Sequence, residues 1–248
     1  MTLPGAEAFE RAGLKAWPGI EVEWDGAWVR RASGHYTKRS NSVQCFDPTD
    51  DHNAEERLMA AAHWLKARDL PPVMRITPLT GPRVIAALDE LGWQTVDSSH
   101  LFAMPLNEVE PDPRVRQFAL LDPHFLAVQQ RLQTYSDRTA TGMRALLEHV
   151  KIPAVGLIAY AGNEPVASAL MDVADGIVVT GNVATDPAYR RQGFAAAIMR
   201  SGMAWAHSAG ARIAALNVQA DNAAAKALYT GLGYRHHYDY SYRIPGAQ

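Results

Sequence analysis

Six consecutive residues, Arg190-Arg191-Gln192-Gly193-Phe194-Ala195, have the types and order needed to hold a pyrophosphate. They lie between a β-branched segment, Ile177 to Val183, and an apolar-periodic stretch from Gly193 to about Ser208, which reads as strand, turn and helix. The free N–H groups of a first helical turn point at one place, and the helix dipole adds positive potential there. Gly193 lets a ligand approach the backbone, and Ala195 keeps the helix start uncluttered. Arg190 and Arg191 supply charge for a pyrophosphate or ribose phosphate. Neither the Walker A loop nor the Gly-x-Gly-x-x-Gly fingerprint is present. Taken alone, the hexapeptide is equally compatible with an ordinary capped helix start.

The elements around this turn follow from pattern and punctuation. In the first half, Gly19 to Trp24 and Ala27 to Ala32 flank Asp25-Gly26, a favoured hairpin turn. Asp51 or Asn53 is positioned to cap a helix reaching about Arg68, and Pro71-Pro72 stops it. A strand (Val73 to Thr77), a helix opening at Pro82 and ending at Gly92, and a strand from Thr95 to Met104 complete this half. The stretch from Leu106 to Gln117, broken by Pro111 and Pro113, reads as a linker.

The second half predicts helices over His124 to Tyr135 and Thr141 to Val150, then strands over Ala154 to Tyr160, Val166 to Val173 and Ile177 to Val183. After the helix to Ser208 come a strand from Arg212 to Val218, a helix from Asn222 to Thr230 and a final strand from His237 to Arg243. Leu228 to Tyr234 echoes Ala87 to Trp93, each ending a helix on Leu-Gly-aromatic before a strand. The chain therefore reads as two copies of one αβαβ unit, of which only the second has the arginine-glycine turn.

Composition sets limits. The 248 residues are 48% apolar and 20% charged, with a net charge of −2, which gives no general basic field for nucleic acid. The single cysteine, Cys45, excludes an intramolecular disulfide and a cysteine-based zinc site. The nine histidines show no metal-ligand spacing, and in a strand His236 and His237 point to opposite faces. No signal-peptide core or membrane-length apolar run is present, so a cytoplasmic protein without metal is expected.

With its flanks, the turn resembles the GNAT acetyltransferase superfamily over about Asp122 to Arg243. Three parts stand in order: Val183-Ala184-Thr185-Asp186-Pro187 with Tyr189, then Arg-x-x-Gly-x-Ala, then Asn222-Ala223-Ala224-Ala225-Lys226-Ala227-Leu228-Tyr229 followed by Gly233-Tyr234. The resemblance implies an α/β (α+β) fold, a mixed sheet flanked by helices, in a pseudo-tandem of two GNAT-like halves. Residues 1–106 would be a degenerate half without a coenzyme motif, and residues 107–248 the catalytic half.

It also implies acetyl-CoA as cosubstrate, its pantetheine arm lying between the strands Ile177 to Val183 and Arg212 to Val218. Main-chain groups of Val183 and Thr185 (with Ala184 between them) would bond the thioester and pantetheine, and Arg190, Arg191, Gln192, Gly193, Phe194 and Ala195 would hold the pyrophosphate. Asn222 and Ala225 would flank the arm, although Asn222 also suits a helix N-cap. Tyr229 would protonate the departing thiolate.

The acceptor amine needs a base, and the strand before the turn offers only Thr180 and Asn182. Asp172 is a substitute through water, but beside Asp175-Gly176 it reads better as a solvated turn carboxylate. The loop Gly34 to Ser42 reads as a solvated loop, with walling of the acceptor site the alternative. Direct acetyl transfer to a small-molecule amine is therefore expected, in preference to a protein amine. Homodimerisation is left open, and neither nucleic acid nor membrane is a partner. The alternatives are a non-catalytic acetyl-CoA sensor or an enzyme using another acyl-CoA.

Overall fold

The two halves of the sequence interleave in one eleven-stranded mixed sheet. The computed structural model describes residues 2–246. In chain order the elements are α1 (Ala6–Ala16), β1 (Glu21–Asp25), β2 (Trp28–Ala32), β3 (Val43–Cys45), α2 (Ala54–Lys66), β4 (Met74–Ile76), α3 (Pro82–Glu90) and β5 (Trp93–Pro105). There follow β6 (Val115–Phe118), α4 (Pro123–Gln133), α5 (Asp137–Leu147), β7 (Ala154–Ala161), β8 (Glu164–Ala174), β9 (Ile177–Thr185), α6 (Phe194–Ser208), β10 (Ile213–Gln219), α7 (Ala223–Gly231) and β11 (Arg235–Pro245).

The strand order is β1-β2-β3-β4-β11-β5-β10-β9-β8-β7-β6. Only β3 with β4 and β9 with β10 pair in parallel. Near the sheet centre the halves exchange strands. The last strand of the chain, β11, pairs with β4 and β5, and β5 pairs on its other side with β10. The chain passes from one half to the other near Leu106, but in space β5 belongs to the sheet of the second half.

Three apolar clusters hold the layers. The alternation of β8 and β9 sends Met171, Val173 and Val178 toward α6, where Ile198, Met199 and Met203 cover them. The opposite face buries Leu170, Ile177 and Val179 against α1, α4 and α5. A third cluster packs α2 and α3 on β2 to β4 through Trp28, Leu58, Leu65, Met74 and Leu88.

Most expected elements form, with instructive differences. Helix α1 was not foreseen. Its Phe9, Ala12 and Ala16 lie on one buried stripe against the second half, a short face with mostly small residues. The expected linker is partly strand: β6 pairs antiparallel with β7, and Asp112 is tied to Arg114, Arg200 and the Ser201 hydroxyl. The first hairpin turns one residue later than expected, at Gly26-Ala27, because Asp25 pairs with Trp28 and its carboxylate meets Arg57.

Asn53 stands at the α2 N-cap without a capping side-chain bond, while Asp51 accepts from Arg83 N and so caps α3 instead. His236 and His237 do point apart, toward Phe102 and Phe9. Among the described residues no helix is long and apolar enough to cross a membrane.

Candidate active site

The site exists because β9 and β10 part. Their parallel pairing runs from Ile177 opposite Ile213 to Thr180 opposite Leu216 and then stops. The cause is a bulge on β9. Its register against β8 slips between Leu170 opposite Gly181 and Ser168 opposite Ala184, and Asn182 takes a left-handed φ of 54°. Interactions on the α1/α4/α5 side hold the bulge. Asn182 Nδ2 donates to the Tyr36 hydroxyl, and the Asn182 carbonyl accepts from Gln129 Nε2, which also donates to Ser168 Oγ. Just before it, Gly181 admits the Trp17 ring, since a Cβ there would lie 2.3 Å from Trp17 Cζ2.

Two cavities meet at the gap. The first, about 610 Å³, is lined by Val183 and Thr185 of β9, the turn residues Tyr189, Arg190, Arg191 and Gly193, the start of α6, and one face of α7. Gly193 is the α6 N-cap with φ 82°, a conformation other residues rarely adopt, and no side chain caps this helix. The N–H groups of the first turn, Phe194 to Ala196, therefore face the cavity without an intrahelical acceptor. Arg190 and Arg191 are exposed beside them, and Arg114 stacks over Phe194 with its guanidinium carbon 4.9 Å from the ring centre.

Of the sequence candidates, Val183, Thr185, Arg190, Arg191, Gly193, Phe194, Ala195, Asn222, Ala225 and Tyr229 all line this cavity. Ala184 does not, because strand alternation turns its side chain to the face opposite Val183 and Thr185, and the Gln192 side chain turns back to the Ala188 carbonyl. Asn222 caps α7 through Ala225 N and also borders the cavity.

The second cavity, about 390 Å³, is polar and walled by both halves of the chain: Arg39, Ser99, Gln133, Tyr135, Asn217 and Tyr240 surround the open end of the gap. Tyr229 and Asn222 border both cavities. Tyr229 is buried, and burial pushes its phenol up to about 12, so it is neutral near pH 7.

Two sequence expectations are corrected here. Asp172 is fully buried on β8, borders neither cavity and has neither carboxylate oxygen hydrogen-bonded. Desolvation pushes its pKa well above the usual carboxylate range. The loop at Gly34 to Ser42 is not simply solvated: Ser40, Asn41 and Ser42 are buried, Tyr36 holds the bulge, and Arg39 reaches the second cavity. Its contribution was hidden because the residues it meets are remote in sequence.

One further convergence also escaped the sequence. His100 Nδ1 and His236 Nε2 each lie 2.6 Å from Asp239 Oδ1, on neighbouring strands β5 and β11. Cys45 is buried, and desolvation raises its thiol pKa, so it is not poised as a nucleophile.

Comparison with known proteins agrees with this geometry. Residues 6–243 match the family described as "Probable histone acetyltransferase Rv0428c C-terminal". The chain belongs to this family, within the GNAT acetyltransferases. The "Uncharacterized N-acetyltransferase YobR" of Bacillus subtilis (strain 168) is 23% identical over 243 residues, covering 95% of this chain and 96% of that protein. In fold, this acetyltransferase is similar to a GCN5-related N-acetyltransferase from Kribbella flavida, with a TM-score of 0.75, 19% identity, and coverage of 99% of this chain and 98% of the other. It is also similar to a tandem GNAT protein from the clavulanic acid biosynthesis pathway, with a TM-score of 0.64, 9% identity, and coverage of 95% and 87%. The mixed sheet with flanking helices is thus a GNAT fold, and the chain is an acyltransferase of that class.

Proposed function

We propose that this acetyltransferase moves the acetyl group of acetyl-CoA directly onto the amine of a small molecule. The observation that carries the reading is the meeting of the two cavities at the splayed β9/β10 edge, with Tyr229 bordering both. The uncapped α6 turn and its arginines suit a pyrophosphate, and the unpaired strand edges suit an amide-bearing arm. Val183 and Thr185 would face that arm, Asn222 and Ala225 would flank it, and the thioester would lie near Tyr229.

In the reaction the amine nitrogen attacks the thioester carbonyl, a C–N bond forms, the C–S bond breaks and the thiolate departs. Tyr229 would give its phenolic proton to the departing thiolate and recover it from solvent. Among the described residues no carboxylate or imidazole borders either cavity, so the ammonium proton would pass to water. Residues 1–106 serve as a non-catalytic half that closes the acceptor side, and residues 107–248 carry the donor site. The single buried cysteine and the use of acetyl-CoA suit a cytoplasmic enzyme.

The test is thiol release from acetyl-CoA across small amines and lysine-bearing peptides, with longer acyl-CoAs as competing donors. Turnover confined to small amines supports the reading. Preference for peptides would make the acceptor a protein amine, in line with the family's description. Acetyl-CoA binding without thiol release for any amine would make the chain a coenzyme sensor.

A further inference from the structure

We propose that the acceptor amine also carries a carboxylate, and that Arg39 binds it. The inference rests on the acetyltransferase reading and names the substrate class of that site. Arg39 stands on a 3₁₀ turn, Lys38–Ser40, whose cap is Thr37 and whose far end is held by Asn41 bonding to Ser33 N and the Thr37 carbonyl. Its guanidinium carbon lies 5.2 Å from the Trp17 ring centre, and the side chain borders the second cavity. It is a fixed cation, unlike a loose surface arginine.

Arg39 makes no side-chain hydrogen bond or ion pair with any described residue, and its Nε is shielded from solvent without a partner. The neighbouring arginines differ. Arg75 pairs with Glu10 at 2.9 Å, and Arg31 donates to the Trp17 carbonyl and Gln44. Glu10 has no capacity to spare: its two oxygens already accept from Arg75 twice, from Tyr238 and from Gln44. Arg75 thus takes the carboxylate in this part of the molecule, Arg31 is held by neutral acceptors, and Arg39, with neither, borders the cavity.

The rest of the wall is neutral. Gln133, Tyr135, Asn217 and Tyr240 border it, and no acidic side chain does. Asn217 Oδ1 is buried without a hydrogen-bond donor, which leaves an acceptor for an N–H at the β10 side of the gap. A guanidinium fork matches the two coplanar oxygens of a carboxylate. An amino carboxylate would therefore suit this wall, its carboxylate on the guanidinium of Arg39 and its amine directed toward the gap. The enclosed position of Arg39 favours a free small molecule over a side chain of a folded protein.

Matched acceptors test this: glycine, β-alanine and 4-aminobutyrate, each against its carboxamide, with wild type, Arg39→Lys and Arg39→Met. For the best-fitting chain length, wild type is expected to favour the carboxylate by about 100-fold in kcat/KM, the scale set by one desolvated charge-assisted pair. Arg39→Met is expected to compress that ratio to about threefold, Arg39→Lys to fall between, and acetyl-CoA affinity to be retained in both. Without ligand, the Tm of Arg39→Met should fall by no more than about 2–4 °C, the scale of one lost cation–π contact with Trp17; a larger fall would mark Arg39 as a structural residue and overturn the proposal.

Equal use of acid and amide by wild type would also overturn it, while leaving acetyl transfer intact. If no amine releases thiol, the acetyltransferase reading fails, and calorimetric titration of CoA-saturated protein with the N-acetyl derivatives of the same pairs decides the carboxylate site. A carboxylate preference lost in Arg39→Met supports the site, and no preference overturns it.

Discussion

The side-chain amide of Asn182, at the left-handed bulge of β9, donates to the hydroxyl of Tyr36 across 2.5 Å. This bond joins the strand that opens the donor cleft to a loop of the amino-terminal half. The Tyr36 ring packs edge-on against Tyr135 at 5.7 Å, so the bulge and the acceptor wall share one support. Tyr36→Phe should cost about 1–2 kcal/mol of stability, because a part-buried amide donor loses its partner. Steady-state kinetics should show acceptor KM rising more than donor KM. An unchanged Tm and an unchanged acceptor KM would mean that the bulge holds itself.

Tyr229→Phe removes the hydroxyl shared by the two cavities and little packing. Turnover should fall by about two orders of magnitude, the lower range for loss of a positioned acid. Acetyl-CoA affinity, measured by calorimetry, should stay close to wild type, since the ring remains. Undiminished turnover would remove Tyr229 from the chemistry.

Among the described residues the cavities offer an attacking amine no carboxylate or imidazole. A simple alkylamine is neutral in only about one part in 2,500 at pH 7, a cost of roughly 4–5 kcal/mol. Log kcat/KM should therefore climb with unit slope as pH rises toward the pKa of the acceptor itself, and acceptors of lower pKa should level off earlier. A plateau at one pH for all acceptors would reveal an ionisable base on the enzyme.

Asp172 couples stability to pH in a definite direction. Its folded pKa lies above its unfolded value, so the folded state binds the proton more tightly. The protein is most stable with respect to this group below the unfolded pKa, and stability falls as pH rises toward the folded pKa, by up to about 1.4 kcal/mol per unit. Asp172→Asn should match wild type near pH ~4 and surpass it increasingly toward neutrality. Thermal melts across pH read this difference, and a constant offset would mean that the carboxyl finds a partner.

The lining of the first cavity was open to reading from the sequence because it is local. Arg190 to Ala195, Asn222 and Tyr229 sit on contiguous stretches whose caps and periodicity announce strand, turn and helix. The lining of the second cavity was not, since Arg39, Tyr135, Asn217 and Tyr240 are brought together only by tertiary pairing. Helix α1 offered a stripe of mostly alanine, too weak a signal to separate from a tail. Asp172 was misread because a neighbouring Asp-Gly turn marks solvent for residue 175 and says nothing of residue 172, which lies on a strand covered on both faces. The strand exchange left no trace, since each strand has the same pattern whichever neighbour it meets.

That exchange governs the order in which the molecule can be completed. Tyr240 and its strand enter between β4 and β5, and Tyr238 meets Glu10 across 228 residues of chain. A nascent chain could assemble the phosphate-binding turn while its final strand is still being made. The slot between β4 and β5, by contrast, must wait for β11, and so must the wall of the acceptor cavity. Contacts this distant impose a large loop-closure cost and set a slow final step. During synthesis the chain would thus form its arginine-glycine turn before it completes the wall of the second cavity.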